Sequence, residues 1–124
     1  MPAYQSPLPR LWLLSDARND GVLEQVLRSL HAPAGFVYRH YHLPDAQRIA
    51  RYRQLRRIAR QLGHLVILSG DMRTARRWQA DGVYGPPTKL ARPASALLKI
   101  ATAHSMAEIG QAGRIGADAI MLSP

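Results

Sequence analysis

Three short echoes limit what this chain can fold into. Leu14-Ser15, Leu68-Ser69 and Leu122-Ser123 each close a brief apolar run, and they stand about 54 residues apart. That is the length of two strand–helix units, so the spacing predicts a series of βα repeats. A second echo points the same way. Ala80-Asp81-Gly82-Val83-Tyr84-Gly85 and Gly116-Ala117-Asp118-Ala119-Ile120-Met121-Leu122 share one plan. A helix ends, Ala-Asp turns the chain, and an apolar run follows. The chain stops on the last of these runs, where such a fold is expected to go on.

The apolar runs read as six strands. Leu11–Leu14 is apolar throughout, as strands covered on both faces are. Phe36-Val37-Tyr38 begins the second strand, expected to run on through Arg39, His40 and Tyr41. Leu65–Leu68, Val83-Tyr84, Leu97–Ala101 and Ile120–Leu122 follow. Between them lie helical patterns. Asp20-Gly21 opens one carrying Val22, Leu23, Val26, Leu27 and Leu30 on one side. Asp45 is placed to cap another, with Ile49, Tyr52, Leu55, Ala59 and Leu62 on one stripe. Asp71 to Gln79 is a short helix, Gly85 to Pro93 a proline-rich loop, and Ser105 with Glu108 a capping box. Alternating strands and helices mean an α/β fold with a parallel sheet, either open and doubly wound or a TIM-type barrel. Polar or aromatic residues after nearly every strand favour the barrel, whose ligands gather at the C-terminal strand ends.

At 124 residues the chain is one domain. We divide it into an N-terminal extension, 1–10, and a βα domain, 11–124. No apolar run is long enough for a membrane span, and none near Met1 has the length of a signal peptide, so the expected location is cytoplasmic. Cysteine is absent, which excludes disulfides and thiolate metal sites. The net charge of +9 suggests anionic ligands. Lys89 and Lys99 are the only lysines, and the remaining basic residues are arginine.

The order Leu11-Trp12-Leu13-Leu14-Ser15-Asp16, Arg39, Ala80-Asp81-Gly82-Val83-Tyr84, Thr102-Ala103-His104-Ser105 and Gly116-Ala117-Asp118 resembles the family of thiamine-phosphate synthase and the thiazole tautomerase TenI. The likeness runs over essentially the whole chain from Leu11, and it lies in order and spacing rather than in one motif. It implies a (βα)₈ barrel of roughly 200 residues, of which this chain covers about six of the eight strands. It also implies thiamine biosynthesis. The synthase joins a pyrimidine diphosphate to a thiazole phosphate with loss of pyrophosphate, helped by Mg²⁺, Lys and Arg. The tautomerase moves one proton and needs one general acid/base.

The family pattern carries over in part. Of the Gln-x-Arg-x-Lys set on strand two, Val37, Arg39 and Tyr41 stand here, and only the arginine matches. The Asn-Asp pair after strand three reads Ser69-Gly70, with Asp71 next door as a candidate magnesium ligand and Asp16 as the other free acid near a strand C-terminus. Gly-Val-His after strand four reads Gly82-Val83-Tyr84, and no acid follows in the Gly85 to Lys89 loop. Ser-x-His after strand five is kept as Thr102-Ala103-His104. The resemblance therefore implies His104 as the acid/base and Arg39, Tyr41, Ser69, Tyr84 and Thr102 as the substrate and phosphate residues. Without the lysine and the metal carboxylates, a tautomerase-like or phosphate-binding role fits better than synthase activity.

The residues themselves leave other readings open. Arg39 either meets a phosphate or pairs with an acid such as Asp16. His40 and His42 are expected on the surface. Arg48, Arg51, Arg53, Arg56, Arg57 and Arg60 form a basic helix that reads first as a solvated outer face and second as an RNA-binding module, although interleaved aromatics are nearly lacking. A non-catalytic remnant of the family is the remaining alternative. Six strands of a barrel leave two open edges. A longer chain, a partner copy in a homo-oligomer, or an open sheet would each answer that.

Overall fold

The computed structural model describes residues 7–91 and 96–123. Most of the N-terminal extension and the end of the proline-rich loop, Pro93 included, lie outside them, as does Pro124. The elements are β1 (Trp12–Leu14), a 3-10 turn (Asp20–Val22), α1 (Leu23–Ser29), β2 (Gly35–Tyr38), α2 (Asp45–Gln61) and β3 (Leu65–Ser69). Then come α3 (Met72–Arg77), β4 (Gly82–Gly85), α4 (Pro87–Leu90), β5 (Leu98–Ala103), α5 (Met106–Arg114) and β6 (Ala119–Leu122). Among the described residues no helix is long and apolar enough to cross a membrane.

The sheet order is β1-β2-β3-β4-β5-β6. The ladders β1/β2, β3/β4, β4/β5 and β5/β6 are parallel. A doubly wound sheet reverses its strand order at a switch point. This order never reverses, so the fold is the barrel type, an incomplete TIM-type α/β sheet with six strands. The chain forms two compact units that divide within β3, Leu8–Val66 and Ile67 onward.

In Leu8–Val66, the core joins one face of each helix to β2. Leu23 and Leu27 of α1, Tyr52, Leu55 and Ala59 of α2, and Phe36, Val37 and Tyr38 of β2 are all buried. Spacings of three and four place the helical ones on single faces. Val22 was expected on that face but is 48% exposed, because the 3-10 turn precedes the α-helix proper. β2 stops at Tyr38, short of the expected Tyr41, because His40 takes φ 31°, which no strand tolerates. The cap of α2 is Pro44 rather than Asp45, which is already the first helical residue. Buried His64 ties two turns together. The Ala34 amide donates to its Nδ1 at 2.9 Å, and its Nε2 donates to Leu27 O at 2.9 Å.

From Ile67 onward, Ile67, Leu68, Val83, Ile100, Ala101 and Ala103 line buried strand positions against Met72, Ala75, Leu90 and Ala112. The expected loop after β4 contains the short helix α4, which Pro87 starts and Leu90 anchors. At β6 the alternation is weaker, and Ile120 and Leu122 are 40% and 68% exposed.

The repeated Ala-Asp phrase has a structural cause. α2, α3 and α5 each end in the same Schellman turn. Its outer bond runs from His64 N to Ala59 O (2.9 Å), Ala80 N to Ala75 O (2.9 Å) and Ala117 N to Ala112 O (3.0 Å). The residue before each donor is left-handed: Gly63 at φ 83°, Gln79 at 56° and Gly116 at 70°. Ala80 and Ala117 therefore close a helix, and Asp81 and Asp118 lead into the next strand. Asp118 Oδ2 accepts from the Lys99 amide at 2.8 Å, which fixes β6 beside β5. A β-carbon at Gly116 meets nothing within 4 Å, so Gly116→Ala tests backbone strain alone. We expect it to cost about 1 kcal/mol and Gln79→Gly to gain about 0.5 kcal/mol, read from urea midpoints. Equal midpoints in all three proteins would refute the assignment.

Candidate functional site

The C-terminal strand ends are built by serines. Ser15 follows β1 and Ser123 follows β6, and each amide extends its ladder, to Val37 O at 2.9 Å and Ala103 O at 3.0 Å. Each hydroxyl then meets a histidine Nδ1: Ser15 Oγ to His40 at 2.8 Å, Ser123 Oγ to His104 at 2.9 Å. Two of the three Leu-Ser echoes are thus serines that orient imidazoles. Ser69, the third, is buried at the end of β3.

In Leu8–Val66, His40 is wholly buried, a correction to its expected surface place. Its Nε2 lies 2.5 Å from Asp20 Oδ1, and its ring stacks on Tyr38 at 4.7 Å. Arg51 completes the cluster. Its Nε donates to Asp20 Oδ1 (2.8 Å), and Nη1 and Nη2 donate to the two Glu24 oxygens (2.7 and 2.9 Å). Burial pushes the His40 pKa down, outweighing the Asp20 hydrogen bond. Burial pushes the Asp20 carboxyl up, but hydrogen bonds from His40 and Arg51 hold it below the usual value. The Arg51 bond does the same for Glu24. Burial pushes the Tyr38 phenol up to about 12.

Arg39 sits beside this cluster. Its amide donates to Ser15 Oγ (2.8 Å) and its Nε to Ser15 O (3.0 Å). One Nη lies 3.7 Å from Asp16, so the ion pair with Asp16 is present but long. The side chain is 31% exposed, and Nη1 has no partner among the described residues. Asp16 is engaged mainly by Arg18, whose side chain and amide lower its pKa. Tyr41 is exposed and lies near Arg48, whose guanidinium is 5.4 Å from its ring.

The unit from Ile67 holds the other expected residues. Ser69 and Tyr84 are register partners on β3 and β4, and Thr102 pairs with Met121. His104 stands exposed after β5. Glu108 accepts from its amide at 3.0 Å, and Ser105 caps α5, so the capping box forms with Glu108 reaching one residue further back than usual. With Nδ1 held by Ser123, its Nε2 has no partner among the described residues. A cleft of about 690 Å³ opens beyond β3 and β4, lined by Gly70, Asp71, Arg73, Thr88 and Lys89. Of these, Arg73 reads from the sequence as part of a solvated basic cluster, and Thr88 and Lys89 were not expected at the site. One of only two lysines, four residues beyond the end of β4, was the available signal.

The magnesium implied by the resemblance finds little here. Asp71 caps α3 by accepting from Thr74 N at 2.7 Å, a bond that lowers its pKa, with Arg73 and Lys89 adding positive charge. Among the described residues no three His, Asp or Glu side chains are grouped to hold a metal. Magnesium keeps several waters and takes one or two carboxylates with substrate phosphates, and among the described residues Asp71 is the one carboxylate lining the cleft.

Sequential parallel strands with polar groups gathered after their C-terminal ends define a barrel-type βα protein. Within that class, residues 13–124 match the family model described as thiamine monophosphate synthase. The chain belongs to that family. A search of curated proteins found no match.

The His40 cluster sets an acid limit. Asp20 and Glu24 have depressed pKa values, so their stabilisation is present above the unfolded values and lost as pH falls through the folded ones. Buried His40 favours its neutral form, whose contribution is full above about 6.5 and lost on acidification. All three act in one direction. Stability is expected to fall from about pH 6.5 downward; Asp20→Asn removes the carboxylate's own share, below about pH 4, and steepens the histidine share nearer neutrality, because it withdraws the bond that raises the His40 pKa. Because Asp20 is 38% exposed, its loss should cost only about 1–2 kcal/mol. Chemical denaturation across pH checks both, and a slope unchanged in Asp20→Asn would refute the cluster as its source.

Proposed function

We propose that the protein binds a phosphorylated small molecule of thiamine biosynthesis, thiazole phosphate or pyrimidine diphosphate, and moves a proton on the thiazole rather than joining the two. The observation that carries this reading is His104. Its imidazole is exposed, held at Nδ1 by Ser123 and bare at Nε2. A tautomerisation needs one such group to take a proton from one ring atom and return it at another. Arg39 supports the phosphate side, with an exposed guanidinium edge on a fixed backbone. A loss of pyrophosphate asks for more charge neutralisation than the single, already engaged Asp71 carboxylate supports. Each residue has its own role and its own readout.

Turnover of the thiazole phosphate tautomer is expected without the pyrimidine diphosphate, followed by the exchange of its ring hydrogen. His104→Asn should lower kcat about 100-fold with KM nearly unchanged. Arg39→Ala should raise KM about tenfold with kcat nearly unchanged. Thiamine phosphate formed in quantity from both substrates would overturn the reading in favour of synthase activity. No turnover and no binding would leave the family fold without this function.

A further inference from the structure

Every proton in the chain Asp20–His40–Ser15 can be assigned. The Asp20 carboxylate only accepts, so His40 Nε2 carries a hydrogen and donates to it. A neutral imidazole has one hydrogen, so Nδ1 is bare and accepts from the Ser15 hydroxyl at 2.8 Å. The Arg39 amide only donates, and it gives to the same Ser15 oxygen at 2.8 Å. Ser15 O accepts from Arg39 Nε at 3.0 Å. Arg39 is thus fastened to Ser15 at its backbone and along its side chain, and the orientation of Ser15 is set by His40.

We propose that His40 is a positioning residue for Arg39: through the Ser15 hydroxyl it fixes the pose in which the Arg39 guanidinium meets an anion. What the pose is for rests on the phosphate reading above, while the linkage does not.

The chain works only with a neutral ring. A second proton on Nδ1 would make it a donor, and the Ser15 oxygen would then receive hydrogens from both His40 and Arg39. Its own hydrogen would have to turn into surroundings with no solvent, since Ser15 and His40 are both 0% exposed. A buried hydroxyl without an acceptor is costly, so Ser15 rotates and the Arg39 amide loses its anchor, which leaves the side chain held only through Nε at the Ser15 carbonyl. The groups around the ring oppose one another. Asp20 of the 3-10 turn draws the second proton on. Arg51 of α2 and His42 after β2 repel it. Glu24 of α1 is engaged with Arg51, and Tyr38 of β2 covers the ring face beneath Arg48. Anion binding is therefore strongest above the histidine range and weakens below it.

The test uses ¹⁵N NMR on the ligand-free chain and titration with sulfate, whose charge stays constant between about pH 7.5 and about pH 4.5. The expected tautomer has hydrogen on Nε2, and the Arg39 Nε resonance moves with the same midpoint as the His40 ring. Sulfate affinity falls roughly tenfold across that midpoint, and in Ser15→Ala it is weaker and flat with pH. Hydrogen on Nδ1 at neutral pH, or an Arg39 resonance indifferent to His40 in a folded protein, overturns the proposal. So does a Ser15→Ala variant that keeps the wild-type pH profile. If sulfate binds at no pH while Arg39 still follows His40, the phosphate reading fails and the linkage stands.

Discussion

Arg51 is the charge around which Leu8–Val66 is arranged. Its fork grips Asp20 at the side chain and, at 2.8 Å, the backbone oxygen, and it takes both oxygens of Glu24. One residue on α2 thereby fixes the 3-10 turn and the first turn of α1. A bidentate guanidinium–carboxylate pair is directional as well as attractive. Half-buried ion pairs add little net stability once desolvation is counted, but leaving one partner alone is expensive. The gain is register: Asp20 can reach His40 only if α2, the turn and β2 hold one arrangement. Burial of His40, its neutral state and the pose of Ser15 all follow from that placement.

The serine echoes have a comparable economy. A strand end leaves an amide that must find an acceptor and a side chain that no longer lies in the pleat. Serine meets both needs, since its amide continues the ladder and its hydroxyl turns toward the neighbouring chain end. At β1 that hydroxyl is sealed inside and serves His40. At β6 it is exposed and serves His104. The same local solution gives a sealed, neutral imidazole in one place and an accessible one in the other. The difference is burial: a solvent-facing Nε2 can exchange protons with a ligand, while one pinned to Asp20 cannot.

The sequence made the fold legible because its repeats are mechanical. Helix ends that need a left-handed residue, and strands covered on both faces, leave marks that spacing alone reveals. Gly63 and Gly116 were visible as stops, whereas Gln79 does the same work without the residue that announces it. The site was less legible. Arg39 and His104 stood out through the family pattern, and pairing with Asp16 was one of the two readings open for Arg39. His40 was misplaced because strand alternation was carried past Tyr38, and no local signal marks a positive φ at histidine. The Arg51 cluster joins residues 31 and 27 positions apart, a contact that periodicity does not encode.

The fate of the arginines shows why net charge is a blunt guide to function. The run from Arg48 to Arg60 looks from the sequence like one basic face. In the structure Arg48 donates to Arg39 O and lies over Tyr38, and Arg51 is consumed by two carboxylates. Arg53, Arg57 and Arg60 remain exposed, while the aromatic neighbour that base stacking would need, Tyr52, is buried. The helix therefore divides its charge between holding the fold and the exposed surface. Away from that helix, a guanidinium edge is exposed at Arg39, and Arg73 and Lys89 line the cleft beyond β3 and β4. Each presents donors at a fixed point and not along a track, the arrangement that the proposed phosphate ligand would need.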